Sequence, residues 1–392
     1  MFRIRTLNNV SAEGLKRLPA AKYTVADDIE APHGILLRSF KMHDMEFGPE
    51  LEAVARAGAG VNNIPIDRLA ELGVPVFNAP GANANAVKEL VIGGMLMAAR
   101  NLAAAWEYTQ QLEGEGDALS KQVEAGKKQF VGYELPGRTL GVVGLGAIGV
   151  KVANAALSLG MKVIGFDAKI SVERAWQLQS GVEQARSLED LLSRADMVTL
   201  HVPLLDATKG LISAAGIARM PQGAVLLNFA RDPIVDEDAV IASLDAGHLG
   251  AYVTDFPNRK VLGNPKVIAL PHLGASTHEA EINCAIMVAE NMSDYLENGN
   301  ILYSVNYPDA QMARSPGSYR ITIANKNVPN MVGQISTRLA EAGLNIDDLL
   351  NKSQGDYAYT IVDVNGEAPD SLLADIRSIA GVIRVRSLGA AA

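Results

Sequence analysis

The stretch that most constrains the fold is Thr139-Leu140-Gly141-Val142-Val143-Gly144-Leu145-Gly146-Ala147-Ile148-Gly149. An apolar strand pattern runs straight into Gly144-x-Gly146-x-x-Gly149, and the Ala-rich stretch Val150 to Leu159, free of Pro and Gly, predicts a helix. A second short strand, Lys162 to Phe166, closes at Asp167, eighteen positions after the third glycine. Strand, tight turn, helix, strand and acid in this register hold a dinucleotide. The first glycine permits the turn and the second admits the pyrophosphate. The third lets helix and strand pack closely, and the helix start at Ala147 and Ile148 faces the negative charge. A carboxylate at Asp167 accepts from ribose hydroxyls and repels a 2′-phosphate, so the expected cofactor is NAD rather than NADP.

A chain of 392 residues exceeds what one core usually serves, so two or three domains are expected. The net charge of −9, without any Lys/Arg block, argues against nucleic acid as a partner. An anionic substrate must then be met by locally placed cations. One cysteine, Cys284, excludes an intrachain disulfide framework and suits a reducing compartment. The first residues, Met1 to Leu7, read as a strand rather than a signal peptide, and no apolar run approaches a membrane span. The expected address is cytoplasmic.

Taken in order, residues 1–95 alternate strands (Ile35 to Leu37, Val74 to Phe77) with helical stretches, Pro49 to Ala57 among them. This predicts a substrate-binding α/β domain, completed by 283–310. Its strands run into polar loops at Arg38-Ser39-Phe40-Lys41, Gly58 to Asn63 and Gly81 to Asn85, where ligands of open α/β sheets bind. Taken singly, each loop glycine is equally a turn residue chosen for backbone freedom. Ala86 to Gln111 reads as one long helix and Glu113 to Gly137 as irregular chain. Residues 96–282 form the expected NAD-binding Rossmann domain, each later strand ending in a polar residue: His201, Arg231, Asp255 and His272. The long helix from Thr277 to Leu296 would carry the chain back to the first domain. A Pro/Gly-containing linker at 311–318 precedes a βαββαβ pattern over 319–392, the order of a ferredoxin-like fold. The expected class is thus α/β: two doubly wound parallel-sheet domains and a small C-terminal module. So small an open sheet needs its exposed face or edge covered, so binding or oligomerisation is its expected job.

Hydride chemistry on NAD needs an anchor for the substrate anion and a group that takes a proton. His272 follows an apolar strand and precedes a Gly-Ala-Ser-Thr turn, and an imidazole suits proton removal at neutral pH. Arg231 ends its strand after Asn228-Phe229-Ala230, and a guanidinium holds a planar carboxylate through two hydrogen bonds. Its structural alternative is an ion pair with Asp232 or Asp236. His201 ends a strand earlier in the sheet and is expected to line the cofactor with Val202, Pro203 and Thr208; so are Asn228, Phe229, Ala230, Asp255 and Gly274. The six histidines and Cys284 have no metal-ligand spacing, and hydride transfer needs no metal.

These elements together make the chain similar to the D-isomer-specific 2-hydroxyacid dehydrogenases over nearly its whole length. The resemblance rests on Leu36-Leu37-Arg38-Ser39, Gly58-Ala59-Gly60-Val61-Asn62-Asn63-Ile64 and Asn78-Ala79-Pro80-Gly81-Ala82-Asn83. It continues in the NAD fingerprint, His201-Val202-Pro203-Leu204, Asn228-Phe229-Ala230-Arg231 and Pro271-His272-Leu273-Gly274-Ala275-Ser276-Thr277. It implies that Arg231 clamps the substrate carboxylate and that His272 is the acid/base. It places substrate contacts at Arg38, Ser39, Lys41, Gly60, Val61 and Asn83, with Arg38 aiding a phosphate. The implied reaction is NAD-linked oxidation of D-3-phosphoglycerate to 3-phosphohydroxypyruvate. The rivals are another D-2-hydroxyacid dehydrogenase and a non-catalytic NAD-sensing scaffold. Homodimers or homotetramers are also implied.

The chain departs from the family in one place. A family glutamate that touches the catalytic histidine falls here on Arg259. Asp255, one position from the family aspartate that lines the cofactor pocket, is the nearest carboxylate in sequence and is expected to serve in either role, catalytic or cofactor-lining. The C-terminal module resembles ACT regulatory domains, some of which bind serine. That likeness implies an effector site at Asn325, Asn327 and Asn345, with Asn325 standing where such domains have histidine and Asn330 where they have glycine; the alternative is a purely structural role.

Overall fold

The computed structural model describes residues 1–390. They divide into two compact units, one made of Met1–Asn83 with the chain from His278 onward, the other of Ala84–Thr277. The boundaries therefore fall at 83/84 and 277/278, where sequence pattern put them at 95/96 and 282/283. Helix Ala84–Ala99 belongs with the second unit because its Val87, Val91, Met95 and Ala99 join that unit's core.

The first unit opens with strands β1 (Phe2–Leu7), β2 (Tyr23–Ala26), β3 (Gly34–Leu37), β4 (Ala53–Arg56) and β5 (Val76–Phe77). They form a parallel sheet in the order β2-β1-β3-β4-β5. The stretch expected to be helical between Pro49 and Ala57 is in fact β4. Its Ala-Val-Ala run is buried between β3 and β5, and a short apolar run does not tell a covered parallel strand from a helix. Helix His278–Asn298 lays Cys284, Ala285, Val288, Met292 and Tyr295 into this unit's core.

The second unit is a seven-stranded parallel sheet. Its strands are β6 (Thr139–Val143), β7 (Lys162–Phe166), β8 (Val182–Gln184), β9 (Met197–Leu200), β10 (Ala224–Asn228), β11 (Leu249–Thr254) and β12 (Val267–Ala269). The order is β12-β11-β10-β9-β6-β7-β8, which reverses direction at β6, the strand that carries the fingerprint. Two expectations are corrected here. The long helix is two helices, Ala84–Ala99 and Leu102–Gln110, broken at Asn101, whose φ of +49° ends any helical run. The segment read as irregular contains helix Gly116–Gly126 and a 3-10 turn, Lys127–Phe130.

The C-terminal module has β13 (Tyr319–Lys326), β14 (Ile346–Gln354), β15 (Tyr357–Val364) and β16 (Val382–Leu388) in antiparallel order β14-β15-β13-β16. With helices Met331–Glu341 and Asp370–Arg377 this is the βαββαβ arrangement. One sheet face packs Ile321, Ile323, Val362 and Val364 under the module's own helices. The other presents Ala324, Tyr359 and Ile361 to Phe77, Tyr295 and Tyr307, and the Tyr359 hydroxyl donates to the Gly299 carbonyl at 2.8 Å. The face expected to await a partner is thus covered by the same chain. Among the described residues no helix is long and apolar enough to cross a membrane.

Candidate active site

The dinucleotide turn is fixed by backbone contacts that exclude side chains. Gly144 has a φ of +91°, and a Cβ there would lie 2.6 Å from the His201 carbonyl oxygen. A Cβ on Gly149 would collide with the Gly144 carbonyl, whereas one on Gly146 would meet nothing within 4 Å. The outer two glycines are therefore demanded by the fold. The middle one leaves open space at the start of helix Ala147–Ser158, where a pyrophosphate is accommodated by free N–H groups. Asp167 accepts from the Leu145 N–H at 2.7 Å and the Lys169 N–H at 2.7 Å, which holds its carboxylate beside the turn at the end of β7. These residues fit NAD.

His201 follows β9 and its N–H donates to the Val143 carbonyl at 2.7 Å. Its Nε2 lies 3.0 Å from the Thr199 hydroxyl, while Nδ1 is buried without a hydrogen-bond partner. Burial pushes the imidazole down to about 3, so the ring is neutral. Val202 and Pro203 follow it, and the Thr208 hydroxyl closes their loop by donating to the Pro203 carbonyl at 2.6 Å and accepting from the Leu205 N–H at 2.8 Å.

The turn after β10 is built by Asn228. This fully buried amide donates to the Arg231 carbonyl at 3.0 Å and accepts from the Ala230 N–H at 3.1 Å. Phe229 anchors the turn in the core. Arg231 is left exposed, tethered only through a 2.6 Å bond to the Ala230 carbonyl. Among the described residues it forms no ion pair, neither with Asp232 nor with Asp236, which instead caps helix Glu237–Asp245.

Asp255, at the end of β11, is 1% exposed, and its Oδ1 has no hydrogen-bond partner. Burial pushes its carboxyl up. The charges of His272 and Arg231 and the N–H groups of Asp255 itself and Gly274 oppose that shift. Arg231 and His272, from two other strand ends, are therefore both within electrostatic reach of Asp255. His272 is exposed beyond β12, its ring 4.9 Å from that of Phe256. Arg259, in the sequence place of the family glutamate, is exposed.

In the first unit the loops after β3, β4 and β5 are tied together. The Asn63 amide donates to the Phe40 carbonyl at 2.7 Å and to that of Arg38 at 3.4 Å, and Asn78 donates to the Ala59 carbonyl at 2.7 Å. Arg38 pairs with Glu281 at 2.6 Å, while Ser39 and Lys41 are exposed. Gly60, Val61 and Asn83 are half-buried. Sequence reading missed Arg56, which ends β4 and folds over Gly58. Its Nε is buried without an acceptor, and burial pushes its pKa down, with the Arg38 charge acting the same way. A half-buried guanidinium without an acceptor marks a place for an anion. The signal was an arginine at a strand end, hidden while that strand was read as a helix.

The expected effector residues do not converge within the chain. Asn325 aligns with Ala358 and through it with Ser353, whereas Asn345 precedes Ile346, which aligns with Val364 at the opposite end of the sheet. Asn327 donates to the Gly355 carbonyl at 3.1 Å, and Asn325 keeps a buried, unpartnered Oδ1.

Residues 92–278 match the family model described as D-isomer specific 2-hydroxyacid dehydrogenase, NAD binding domain. The D-3-phosphoglycerate dehydrogenase of Haemophilus influenzae is 35% identical over 358 residues, spanning 88% of this chain and 83% of that protein. That of Escherichia coli K12 is 30% identical over 414 residues, spanning 97% and 96% respectively. Among solved structures, the NAD+-bound 3-phosphoglycerate dehydrogenase of Entamoeba histolytica superposes with a TM-score of 0.57 at 25% identity, over 78% of this chain and 98% of that one. The D-mandelate dehydrogenase of Rhodotorula graminis, at a TM-score of 0.67 and 24% identity over 80% of this chain and 99% of its own, shares the fold. With the fingerprint, the acid that closes it and these likenesses in hand, the chain belongs to the D-isomer-specific 2-hydroxyacid dehydrogenases, NAD-dependent oxidoreductases.

Proposed function

We propose that the chain oxidises D-3-phosphoglycerate to 3-phosphohydroxypyruvate, the first step of the phosphorylated route to L-serine. Bound NAD+ supplies the acceptor for the hydride that leaves C2. His272 takes the C2 hydroxyl proton on its imidazole, and Arg231 holds the carboxylate through paired N–H donors while the adjacent carbonyl forms. Asp255 faces the imidazolium so produced. The unpaired state of Arg231 carries this reading, because a guanidinium without a protein carboxylate partner is available to a substrate one.

The phosphate is assigned to Arg38, Lys41 and Arg56, with Ser39 as a further donor. The first unit's parallel sheet is the substrate-binding part and the second unit, Ala84–Thr277, the NAD-binding part. The C-terminal module is an ACT-like regulatory domain whose effector, such as serine, would use Asn325, Asn327 and Asn345. Since those residues stand at opposite ends of one sheet, the proposal includes a homodimer or homotetramer that brings two modules together. A cytoplasmic address belongs to the same proposal.

One observation favours a second reading. Arg38 is already paired with Glu281, which suits an acid without phosphate. Kinetics of the parent and Arg38→Ala on D-3-phosphoglycerate and on D-glycerate decide between the two. Arg38→Ala should raise KM for the phosphorylated acid about tenfold or more, the worth of one charge-assisted hydrogen bond, and change D-glycerate far less. Equal weakening would make Arg38 a loop-shaping residue. A parent that prefers D-glycerate or D-lactate outright would overturn the phosphoglycerate assignment.

A further inference from the structure

A second cationic hollow lies in the first unit and shares no residue with the loops or strand ends described above. It is an open hollow of about 850 Å³ between the start of β1, the end of helix His278–Asn298, the linker at Arg314, helix Asp370–Arg377 and β16. Four cationic side chains, Lys22, Arg314, Arg377 and Arg386, line it against two acids, Glu52 and Glu297. Both acids are already used: Lys22 pairs with Glu297 at 2.5 Å and Arg386 with Glu52 at 2.6 Å.

Arg314 and Arg377 are left over. Arg314 is half-buried; its Nη2 donates to the Ser318 carbonyl at 3.2 Å and to that of Gly389, and its Nε is buried without an acceptor. Burial and the Arg320 charge push its pKa down, and the Asp363 charge opposes them only in part. Arg377 is exposed and makes one long bond, 3.5 Å to the Val385 carbonyl. It also lines an adjoining hollow of about 460 Å³, on whose wall stands Arg384, bonded to the carbonyls of Leu51 and Pro49 and, among the described residues, to no carboxylate. In a chain of net charge −9, a local surplus of guanidinium groups without a carboxylate partner among the described residues, gathered around a hollow, is a specific feature.

A guanidinium fork matches the oxygens of a carboxylate or phosphate, and the volume lies within the range of small-ligand pockets. Phe2, Leu296, Leu373 and Leu388 add apolar surface for a short carbon body. We propose that this hollow is a binding site for a small organic anion with a carboxylate or phosphate head, anchored by Arg314 and Arg377. It differs from the asparagine set of the proposed effector site in residues, in place and in the charge of the ligand it takes.

The test uses the full-length protein saturated with NAD, so that the pyrophosphate cradle is filled. Isothermal titration with inorganic phosphate and with succinate is carried out on the parent, Arg377→Glu, Arg314→Gln and Arg38→Ala. At least one probe should bind the parent, persist in Arg38→Ala, and weaken by about tenfold or more in Arg377→Glu, as loss of a charge-assisted bond requires. Whichever of the two binds more tightly identifies the head group. KM for 3-phosphoglycerate should stay within about twofold in Arg377→Glu, since a surface charge removed from the site of reaction leaves substrate binding alone. Because Arg377 is exposed, its replacement leaves folding intact even if Arg314→Gln does not. Absence of binding to the parent, or binding kept in Arg377→Glu and lost in Arg38→Ala, overturns the proposal.

Discussion

Asp363→Ala should loosen the C-terminal module more than any other single change on its sheet. Arg320 and Asp363 stand opposite each other on β13 and β15, 0% and 1% exposed. The pair is bidentate, Nε to Oδ1 at 2.6 Å and Nη2 to Oδ2 at 2.8 Å. The same guanidinium donates to the carbonyls of Asn298 at 2.9 Å, Met312 at 2.8 Å and Ala313 at 3.1 Å. It thereby ties the end of the long helix and the linker to the module. Removing the carboxylate strands a buried cation that only carbonyls can solvate, at a cost of roughly 3–5 kcal/mol. Replacing both partners, as in Arg320→Met with Asp363→Leu, removes the stranded charge. It leaves three carbonyls short of a donor at about 1 kcal/mol each, so the double variant should lose less than the single one. Hydrogen exchange of β13 and β15 amides, followed by mass spectrometry, reads this directly. Exchange should accelerate roughly 10²–10⁴-fold in Asp363→Ala and less in the double variant. Single-variant exchange within about threefold of the parent, or a double variant as fast as the single, would refute the stranded-charge argument.

Three further outcomes are expected. His272→Asn should lower kcat roughly 10²–10⁴-fold while cofactor binding, followed by the fluorescence of NADH, is kept; near-normal turnover would remove His272 from the reaction. Asp167→Ser should narrow the preference for NAD over NADP in kcat/KM, and equal use of both cofactors by the parent would show that Asp167 does not select. His201 is neutral in the folded chain because burial holds it down to about 3, while the unfolded chain takes up a proton near pH 6.5. Its contribution is therefore lost as pH falls from about 6.5 towards 3, at up to about 1.4 kcal/mol per pH unit, and urea midpoints of His201→Gln should fall less steeply over pH 6 to 4 than those of the parent.

What was legible in the sequence was chemistry fixed by local backbone demands. Gly144 and Gly149 announce themselves because no side chain fits where they stand, and Asp167 stands at the end of β7 with its carboxylate held beside their turn. The module's strand and helix order was readable because each amphipathic period is short and separated by Gly or Pro. Long-range burial was not readable. Ala53–Arg56 is a strand only because β3 and β5 flank it, and Arg56 became visible as an anion-binding candidate only once it ended that strand. The module's outer face carries Tyr359 and Arg320, residues that a solvent-facing sheet also bears. That they are buried against Tyr295, Tyr307 and Asn298 follows from tertiary packing alone.

The missing family glutamate has a similar physical resolution in the proposed mechanism. Counting along the chain puts its place at Arg259, an exposed cation that cannot balance a second positive charge. Counting through the fold instead brings Asp255 under the Pro271–Thr277 loop, its Oδ2 3.7 Å from where a Cβ on Gly274 would stand. Its carboxyl is pushed up by burial even with Arg231 and His272 opposing, so the carboxylate is under-compensated before reaction. When His272 takes the substrate proton, the imidazolium supplies the positive charge that this buried carboxylate lacks. The two ionisations then reinforce each other in a medium where charges interact more strongly than in water. Substrate binding sharpens the effect, because its own carboxylate draws on Arg231 and leaves Asp255 more dependent on His272. An acid one position from the expected aspartate, buried and with one oxygen unpartnered, can thus balance the imidazolium electrostatically in the proposed mechanism.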